Sequence, residues 1–297
     1  MYNKDKLKEY IKRSELKIFS DNIRVRLSKD LAVKYDEGIY DNYLKLQDKY
    51  IKMINDLGIV FPSNASPKFY IYIVPMENYA ELLRVPKIFD SGAGAGRPVN
   101  SYDLDGFNSS YGISTNLIEN YQEKNIMRIE NDIHELAHIV HSQFFSRDQW
   151  LNEGFAESLV LYIMDYENIF EEHKNVIKTL SEEEILTAEE LIQEEKIGAF
   201  GEKSVLPNKS CSFRYSYISS YLLVRGILES ISKNFGYNKK EAIQYFLEMI
   251  RQSSCFQEYL VFEIADEIGM SKDELLNGKI LQLEVIKSIS KERGMIK

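Results

Sequence analysis

Two short segments near the middle of the chain limit its possible folds more than any other feature. Their sequences are His134-Glu135-Leu136-Ala137-His138 and, shortly afterwards, Trp150-Leu151-Asn152-Glu153-Gly154-Phe155-Ala156-Glu157. Residues four apart lie on the same face of a helix, so the imidazoles of His134 and His138 can converge on one metal ion. Glu135 then projects beside that metal. The first segment therefore predicts a helix that carries part of a metal site.

The second segment can supply what the first one lacks. A catalytic zinc site needs a third protein ligand, an open position for water and a base. A third histidine ligand six positions after His138 is excluded, because that residue is Phe144. Glu153 can complete a set of two histidines and one glutamate from a second helix that follows a turn at residues 146–148. Glu157, one helical turn later, is placed to accept the second ring N–H of a liganding histidine.

Together the two segments resemble the gluzincin metallopeptidases, and more narrowly a family of minimal catalytic domains related to the membrane-alanyl-aminopeptidase group. The resemblance implies Zn²⁺ as cofactor, with His134, His138 and Glu153 as its ligands and Glu135 as the general base. It also implies an α+β zincin fold of the thermolysin-like type. We expect a sheet-bearing N-terminal lobe with the active-site helix pair at residues 1–165. A helical C-terminal lobe is expected at residues 166–297.

A tyrosine-rich stretch follows at residues 213–225. It is similar to the helix of that family whose phenol donates a hydrogen bond to the oxyanion of the tetrahedral intermediate. The phase of the helix favours Tyr217 for this role, with Tyr215 and Tyr221 as alternatives. The chain has 20 tyrosines, so packing of a hydrophobic core also accounts for such a helix.

Hydrophobic periodicity predicts the arrangement of the remaining elements. Strands are expected at Ile23 to Leu27, Lys68 to Val74 and Ser109 to Thr115. By the resemblance, residues 108–114 should form the edge strand that pairs with an extended substrate. Helices are expected at Leu31 to Leu57, Glu77 to Leu83, Glu182 to Glu195, Tyr215 to Lys233, Lys240 to Gln252 and Lys272 to Ile289. Gly92 to Gly96 should form a loop beside the active-site cleft, and the sequence assigns no function to it.

Composition argues against several classes of partner. The net charge of −9 is unfavourable for binding to nucleic acid or to an anionic membrane. The two cysteines, Cys211 and Cys255, form no framework of pairs, so reduced thiols are expected. Met1 to Asn22 contains no apolar stretch like that of a signal peptide, and no segment is long enough to cross a bilayer. These features predict a cytoplasmic enzyme.

The predicted function is zinc-dependent hydrolysis of a peptide bond, with a peptide or protein as substrate. Two alternatives stay open at the level of sequence: a catalytically silent zincin-fold protein-binding module, and a metal hydrolase of a non-peptide amide or ester. A regulatory protease that cuts repressors fits the second segment less well. Cleavage at chain ends and cleavage within chains are both compatible with these residues, and the sequence leaves the oligomeric state open.

Overall fold

The structure is a computed structural model that combines helices with one mixed sheet, as expected of an α+β protein. By its internal contacts the chain divides into two compact units, residues 1–139 and 140–297. The expected lobe boundary after residue 165 stays a prediction. The structure describes residues 4–56, 68–73, 97–100, 110–115, 134, 137, 149–163, 174–205, 214–252 and 257–291.

A five-stranded sheet organises the described part of the first unit, in the order β1-β2-β3-β5-β4. Its strands are β1 (Glu15–Ile18), β2 (Ile23–Leu27), β3 (Lys68–Ile73), β4 (Arg97–Asn100) and β5 (Ser110–Thr115). The three central strands run parallel, with Val25 beside Ile71 and Ile71 beside Ile113. The outer strands β1 and β4 are antiparallel to their neighbours. The sheet is therefore mixed.

The three strands predicted from sequence are confirmed as β2, β3 and β5. Along β2, the side chains of Ile23, Val25 and Leu27 are buried and alternate with the half-buried Arg24 and Arg26. This alternation is the period of two on which the prediction relied, because successive side chains of a strand point to opposite faces.

The expected edge strand is wrong. Residues 108–114 overlap β5, which has β3 on one side and β4 on the other. Among the described strands, β4 and β1 lie at the two edges. β4 contains Pro98, which lacks the N–H needed for full pairing and is tolerated mainly in edge strands. This short segment has no alternation of apolar and polar residues, so periodicity gave no signal for it.

Three helices accompany the sheet in the first unit: α1 (Lys4–Arg13), α2 (Lys29–Asp36) and α3 (Asp41–Asp56). The single helix expected at Leu31 to Leu57 is therefore wrong, because the chain turns between α2 and α3. Gly38 has a φ of +76° in that turn, a left-handed conformation that glycine adopts without steric cost. The hydroxyl of Tyr10 donates to the carbonyl oxygen of Ile73 and so fastens α1 to β3.

The described part of the second unit is helical, with a short helix at residues 174–179. The longer elements are α4 (Gln149–Ile163), α5 (Ala188–Lys196), α6 (Tyr215–Phe235), α7 (Lys239–Gln252), α8 (Gln257–Ile268), α9 (Lys272–Asn277) and α10 (Ile280–Lys291). Helix α6 lies at the centre and packs against α4, α7 and α10. None of the described helices combines the length and apolar character needed to cross a bilayer.

Two of the predicted helices of this unit are each divided in two. The stretch from Glu182 to Glu195 comprises a 3-10 turn (Glu182–Glu184) and α5, and the stretch from Lys272 to Ile289 comprises α9 and α10. Thr187 starts α5 because its side chain accepts the Glu190 N–H while the Glu190 carboxylate accepts the Thr187 N–H. This reciprocal pair is a helix-start signal that the periodicity reading overlooked.

Candidate active site

The first segment of the predicted metal site is described at two positions, His134 and Ala137. Both are helical, His134 is half-buried and Ala137 is fully buried. These positions agree with the predicted helix. Glu135 and His138 lie outside the described residues. The same holds for the turn at residues 146–148, the glycine-rich loop at residues 92–96 and the helix expected at residues 77–83.

The second segment forms the greater part of α4, as predicted. Glu153 and Glu157 lie one turn apart on this helix and are only 8% and 6% exposed. Trp150, Phe155 and their apolar neighbours on α4 are also buried. A carboxylate at such a depth is stable only with a cation or hydrogen-bond donors as partners. Burial of these two side chains is therefore compatible with one as a metal ligand and the other as acceptor from a liganding histidine.

Helix α4 packs closely against α6 at Gly154. A Cβ atom at this position would lie 2.7 Å from the Cγ2 atom of Val224 and would also collide with the backbone of Ser220. Glycine is the one residue that permits this approach of the two helices. Glu153 directly precedes the contact, and Glu157 follows it by three positions on the same side of α4. The contact thus fixes the carboxylate-bearing helix against the tyrosine helix.

The start of α4 is also held by a contact from α5. The Glu195 carboxylate accepts the backbone N–H of Gln149 at 2.9 Å. The first N–H groups of a helix have no partner within the helix, so an acceptor from elsewhere stabilises that end. Glu195 thereby secures α4 one turn before Glu153.

Of the three candidate tyrosines, Tyr215 is engaged away from α4. Its hydroxyl donates to the Glu184 Oε1 atom at 3.0 Å. Burial and this hydrogen bond raise the pKa of Tyr215, while the Ser181 backbone N–H and the Tyr215 hydroxyl lower the pKa of Glu184. The phenol of Tyr215 thus serves as a tether between α6 and the 3-10 turn.

Tyr221 belongs to a hydrophobic cluster around α6. The other buried members of this cluster are Val176, Ile177, Ile218, Leu222, Val285 and Ile289. The Tyr221 hydroxyl accepts a hydrogen bond from Arg225 at 2.8 Å, and Arg225 also donates to Glu229 at 2.7 Å. These contacts are typical of a core tyrosine with a satisfied hydroxyl.

Tyr217 occupies a different position from the other two. It precedes Ser220 by three residues and Val224 by seven, which places it on the face of α6 that α4 contacts. The side chain is half-buried, and its ring lies 5.5 Å from the Phe200 ring, centroid to centroid. Tyr215 lies on the opposite side of α6, and Tyr221, one turn after Tyr217, borders this face but its hydroxyl binds Arg225.

The described residues contain no group of three or more His, Cys, Asp or Glu side chains arranged to hold a metal ion. Two of the four residues predicted to bind zinc or act as base, Glu135 and His138, lie outside that part of the chain. Comparison of the chain with protein-family models finds no match, and comparison with curated proteins finds no significant match. The functional assignment therefore depends on the two segments and on the surroundings of Glu153, Glu157 and Tyr217.

Three residues that shape this region were not predicted from the sequence: Gly154, Glu195 and Phe200. Gly154 lies inside the second segment, and a glycine in a helix interior is itself a signal of close packing, since it destabilises an isolated helix. Glu195 and Phe200 act on residues distant in the sequence. Local patterns give no signal for such contacts.

Proposed function

We propose that the protein is a zinc-dependent metallopeptidase with a thermolysin-like zincin fold. The observation that carries this proposal is the pair of segments, His134 to His138 and Trp150 to Glu157. The buried Glu153 and Glu157 on a helix packed against the tyrosine helix support it. A surface helix with chance glutamates would leave such side chains in water.

His134, His138 and Glu153 form a donor set that suits Zn²⁺, since imidazole nitrogens and one carboxylate are its usual ligands in hydrolases. When bound, zinc would polarise the scissile carbonyl and lower the pKa of water. Glu157 accepts the ring N–H of a liganding histidine and fixes the orientation of that imidazole.

The proton transfers and the stabilisation of the oxyanion are carried out by side chains of this protein. Glu135 removes a proton from the attacking water and delivers it to the leaving amine. Tyr217 donates a hydrogen bond to the oxyanion of the tetrahedral intermediate. The engagement of Tyr215 with Glu184 and the core position of Tyr221 favour Tyr217 over these alternatives.

The proposed substrate is an extended peptide or an extended segment of a protein. By the resemblance, such a substrate pairs with an edge strand of the sheet, and the described sheet has β1 and β4 at its edges. Pairing through the backbone gives affinity with little sequence preference. Two cysteines without a framework of pairs suit a reducing compartment, so cytoplasmic peptides are the proposed substrates.

A mixed peptide library tests this function directly. Half of the peptides carry free N-termini and half carry blocked ones, and the library is incubated with the wild type or with Glu135→Gln. Mass spectrometry should detect cleavage by the wild type alone, because the variant keeps the ligands but lacks the base. The half that is cut distinguishes trimming of ends from internal cleavage. Equal cleavage by the variant would refute the mechanism.

A further inference from the structure

The segment from Phe200 to Ser204 is fastened to the start of α6 by several contacts. Arg214 donates to the carbonyl oxygens of Gly201 at 2.5 Å and Glu202 at 3.1 Å. The Tyr215 N–H donates to the carbonyl oxygen of Lys203 at 3.1 Å. Ser204 and Arg214 form an antiparallel bridge. This segment therefore has a fixed position relative to the first turn of the tyrosine helix.

Gly201 brings its backbone directly against the ring of Tyr217. Its φ of +78° is left-handed, and a Cβ atom there would lie 3.0 Å from the Cε2 atom of Tyr217. The Gly201 N–H donates to the Ser216 hydroxyl at 2.8 Å, which holds the glycine in this place. A larger residue at position 201 would meet both an unfavourable backbone conformation and the tyrosine ring.

Phe200 contacts the same ring. The centroids of Phe200 and Tyr217 are 5.5 Å apart, and the ring planes are tilted by 55°. This separation and tilt lie in the range preferred by aromatic pairs. Phe200 and Gly201 together limit the rotation of the Tyr217 side chain about its two torsions. The phenol oxygen is thus confined by a contact remote from the hydroxyl itself.

We propose that Phe200 and Gly201 are positioning residues that hold the Tyr217 phenol in the orientation needed to donate to the oxyanion. This inference rests on the proposed function. A hydrogen-bond donor stabilises developing charge best when it is already in place, since no reorganisation is then needed during the reaction. A displacement of about 1 Å can lower turnover by about 100-fold.

The same stretch of chain also sets the helix that carries Glu153. Phe200 follows α5 after a left-handed turn at Gly198, whose φ is +72°. On α5, the Glu195 carboxylate binds the N-terminal end of α4. Residues 195–201 therefore contact both the helix with the proposed zinc ligand and the proposed oxyanion donor. This segment joins the starts of these two helices, in addition to their direct contact at Gly154.

Kinetics of Phe200 variants test the positioning role. Phe200→Ala should lower kcat by about 10- to 100-fold with KM changed less than about threefold, because the loss concerns only the transition state. Phe200→Tyr keeps an aromatic ring and should restore most of kcat. The double variant with Tyr217→Phe should be no slower than Tyr217→Phe alone. Phe235→Ala, which removes the partner of another aromatic pair at 5.5 Å, is the matched control and should keep wild-type kcat.

A second measurement needs no turnover. A 3-fluorotyrosine placed at position 217 reports its surroundings by ¹⁹F NMR, and its resonance should shift in Phe200→Ala but not in Phe235→Ala. Phe200→Leu serves if the alanine variant does not fold. An unmoved resonance overturns the contact, and an unchanged kcat in an active Phe200→Ala enzyme overturns its role. If the resonance moves in Phe200→Ala but the wild type cleaves no peptide, the proposed function and the positioning role of Phe200 are refuted, while the contact itself stands.

Discussion

Gly154 of α4 lies so close to Val224 of α6 that a Cβ atom on the glycine would be 2.7 Å from the valine methyl group. We predict that Gly154→Ala lowers the free energy of unfolding by about 1–3 kcal/mol, because the added methyl group overpacks this contact. Urea denaturation measures the change. Ser158→Ala on the same helix, which loses a hydrogen bond only to its own helix backbone, should cost less than about 1 kcal/mol. Wild-type stability of Gly154→Ala would contradict this close packing.

Removal of the proposed third ligand should abolish zinc binding without unfolding the second unit. We expect Glu153→Ala to lose most of its zinc by elemental analysis, whereas Glu135→Gln should retain it. Circular dichroism of the zinc-free protein checks that α4 stays helical. Full zinc occupancy in Glu153→Ala would show that another residue is the third ligand.

The three tyrosines of α6 should differ sharply when each is changed to phenylalanine. Tyr217→Phe should lower kcat by about 10²- to 10³-fold, as for loss of one oxyanion donor. Tyr215→Phe and Tyr221→Phe should affect stability more than kcat, since their hydroxyls contact Glu184 and Arg225. The experiment requires kcat and thermal unfolding of all three variants. A large loss of kcat in Tyr215→Phe or Tyr221→Phe with Tyr217→Phe unaffected would transfer the role to that residue.

Asp48 on α3 should make stability depend on pH in the acid range. It accepts hydrogen bonds from Ser20 at 2.7 Å and Asn22 at 3.3 Å, and it pairs with Lys52 at 2.6 Å. Burial acts to raise the pKa of Asp48, but these partners together hold it below its ordinary value of 3.8. A lowered folded pKa means that the stabilisation is complete above pH 3.8 and is lost as the pH falls through the folded pKa.

Asp48→Asn removes this pH-dependent stabilisation. Its destabilisation relative to wild type should be full at neutral pH and should shrink near pH 3, as judged by urea denaturation at both values. Asp41→Asn on the same helix is the control, because Asp41 is half-exposed and faces Lys45 at 3.8 Å. Its destabilisation at neutral pH should be smaller than that of Asp48→Asn. A constant difference between Asp48→Asn and wild type across this range would disprove the account.

The bond from Glu195 to the start of α4 should be visible in stability. Glu195→Ala removes the acceptor of the Gln149 N–H and should cost about 0.5–2 kcal/mol, the range for loss of a helix N-cap. Glu195→Gln retains an oxygen acceptor and should cost less than half as much. Chemical denaturation compares the two variants. Equal losses would indicate that the contact acts through charge alone.

Elements with a strong local pattern could be predicted from the sequence. The bounds of β2 agree with the prediction, and α6 begins at Tyr215 as expected, because alternation and helical spacing are properties of consecutive residues. The helix of Glu153 was predicted from the turn and N-cap residue types that precede it and from its part in the metal site. Burial of Glu153 and Glu157 could also be anticipated, since the segment around them is mostly apolar.

Breaks within helices, the order of strands in the sheet and contacts between distant residues were harder to predict from the sequence. The turn at Gly38 divides a continuous helical pattern, and a single glycine is too common to indicate a left-handed turn by itself. The edge position of β4 depends on which strands meet in space. The contact between Phe200 and Tyr217 depends equally on tertiary folding, so neither could be derived from local periodicity.

The bridge between Ser204 and Arg214 has a consequence for the evolution of this protein. It brings the two ends of the intervening chain together immediately before α6, and the entropy of closing such a loop rises only slowly with its length. The free energy of closing the segment between these two residues therefore constrains its length only weakly. Homologous chains are expected to vary in length at this site, and a reporter peptide inserted there should leave the helical unit intact.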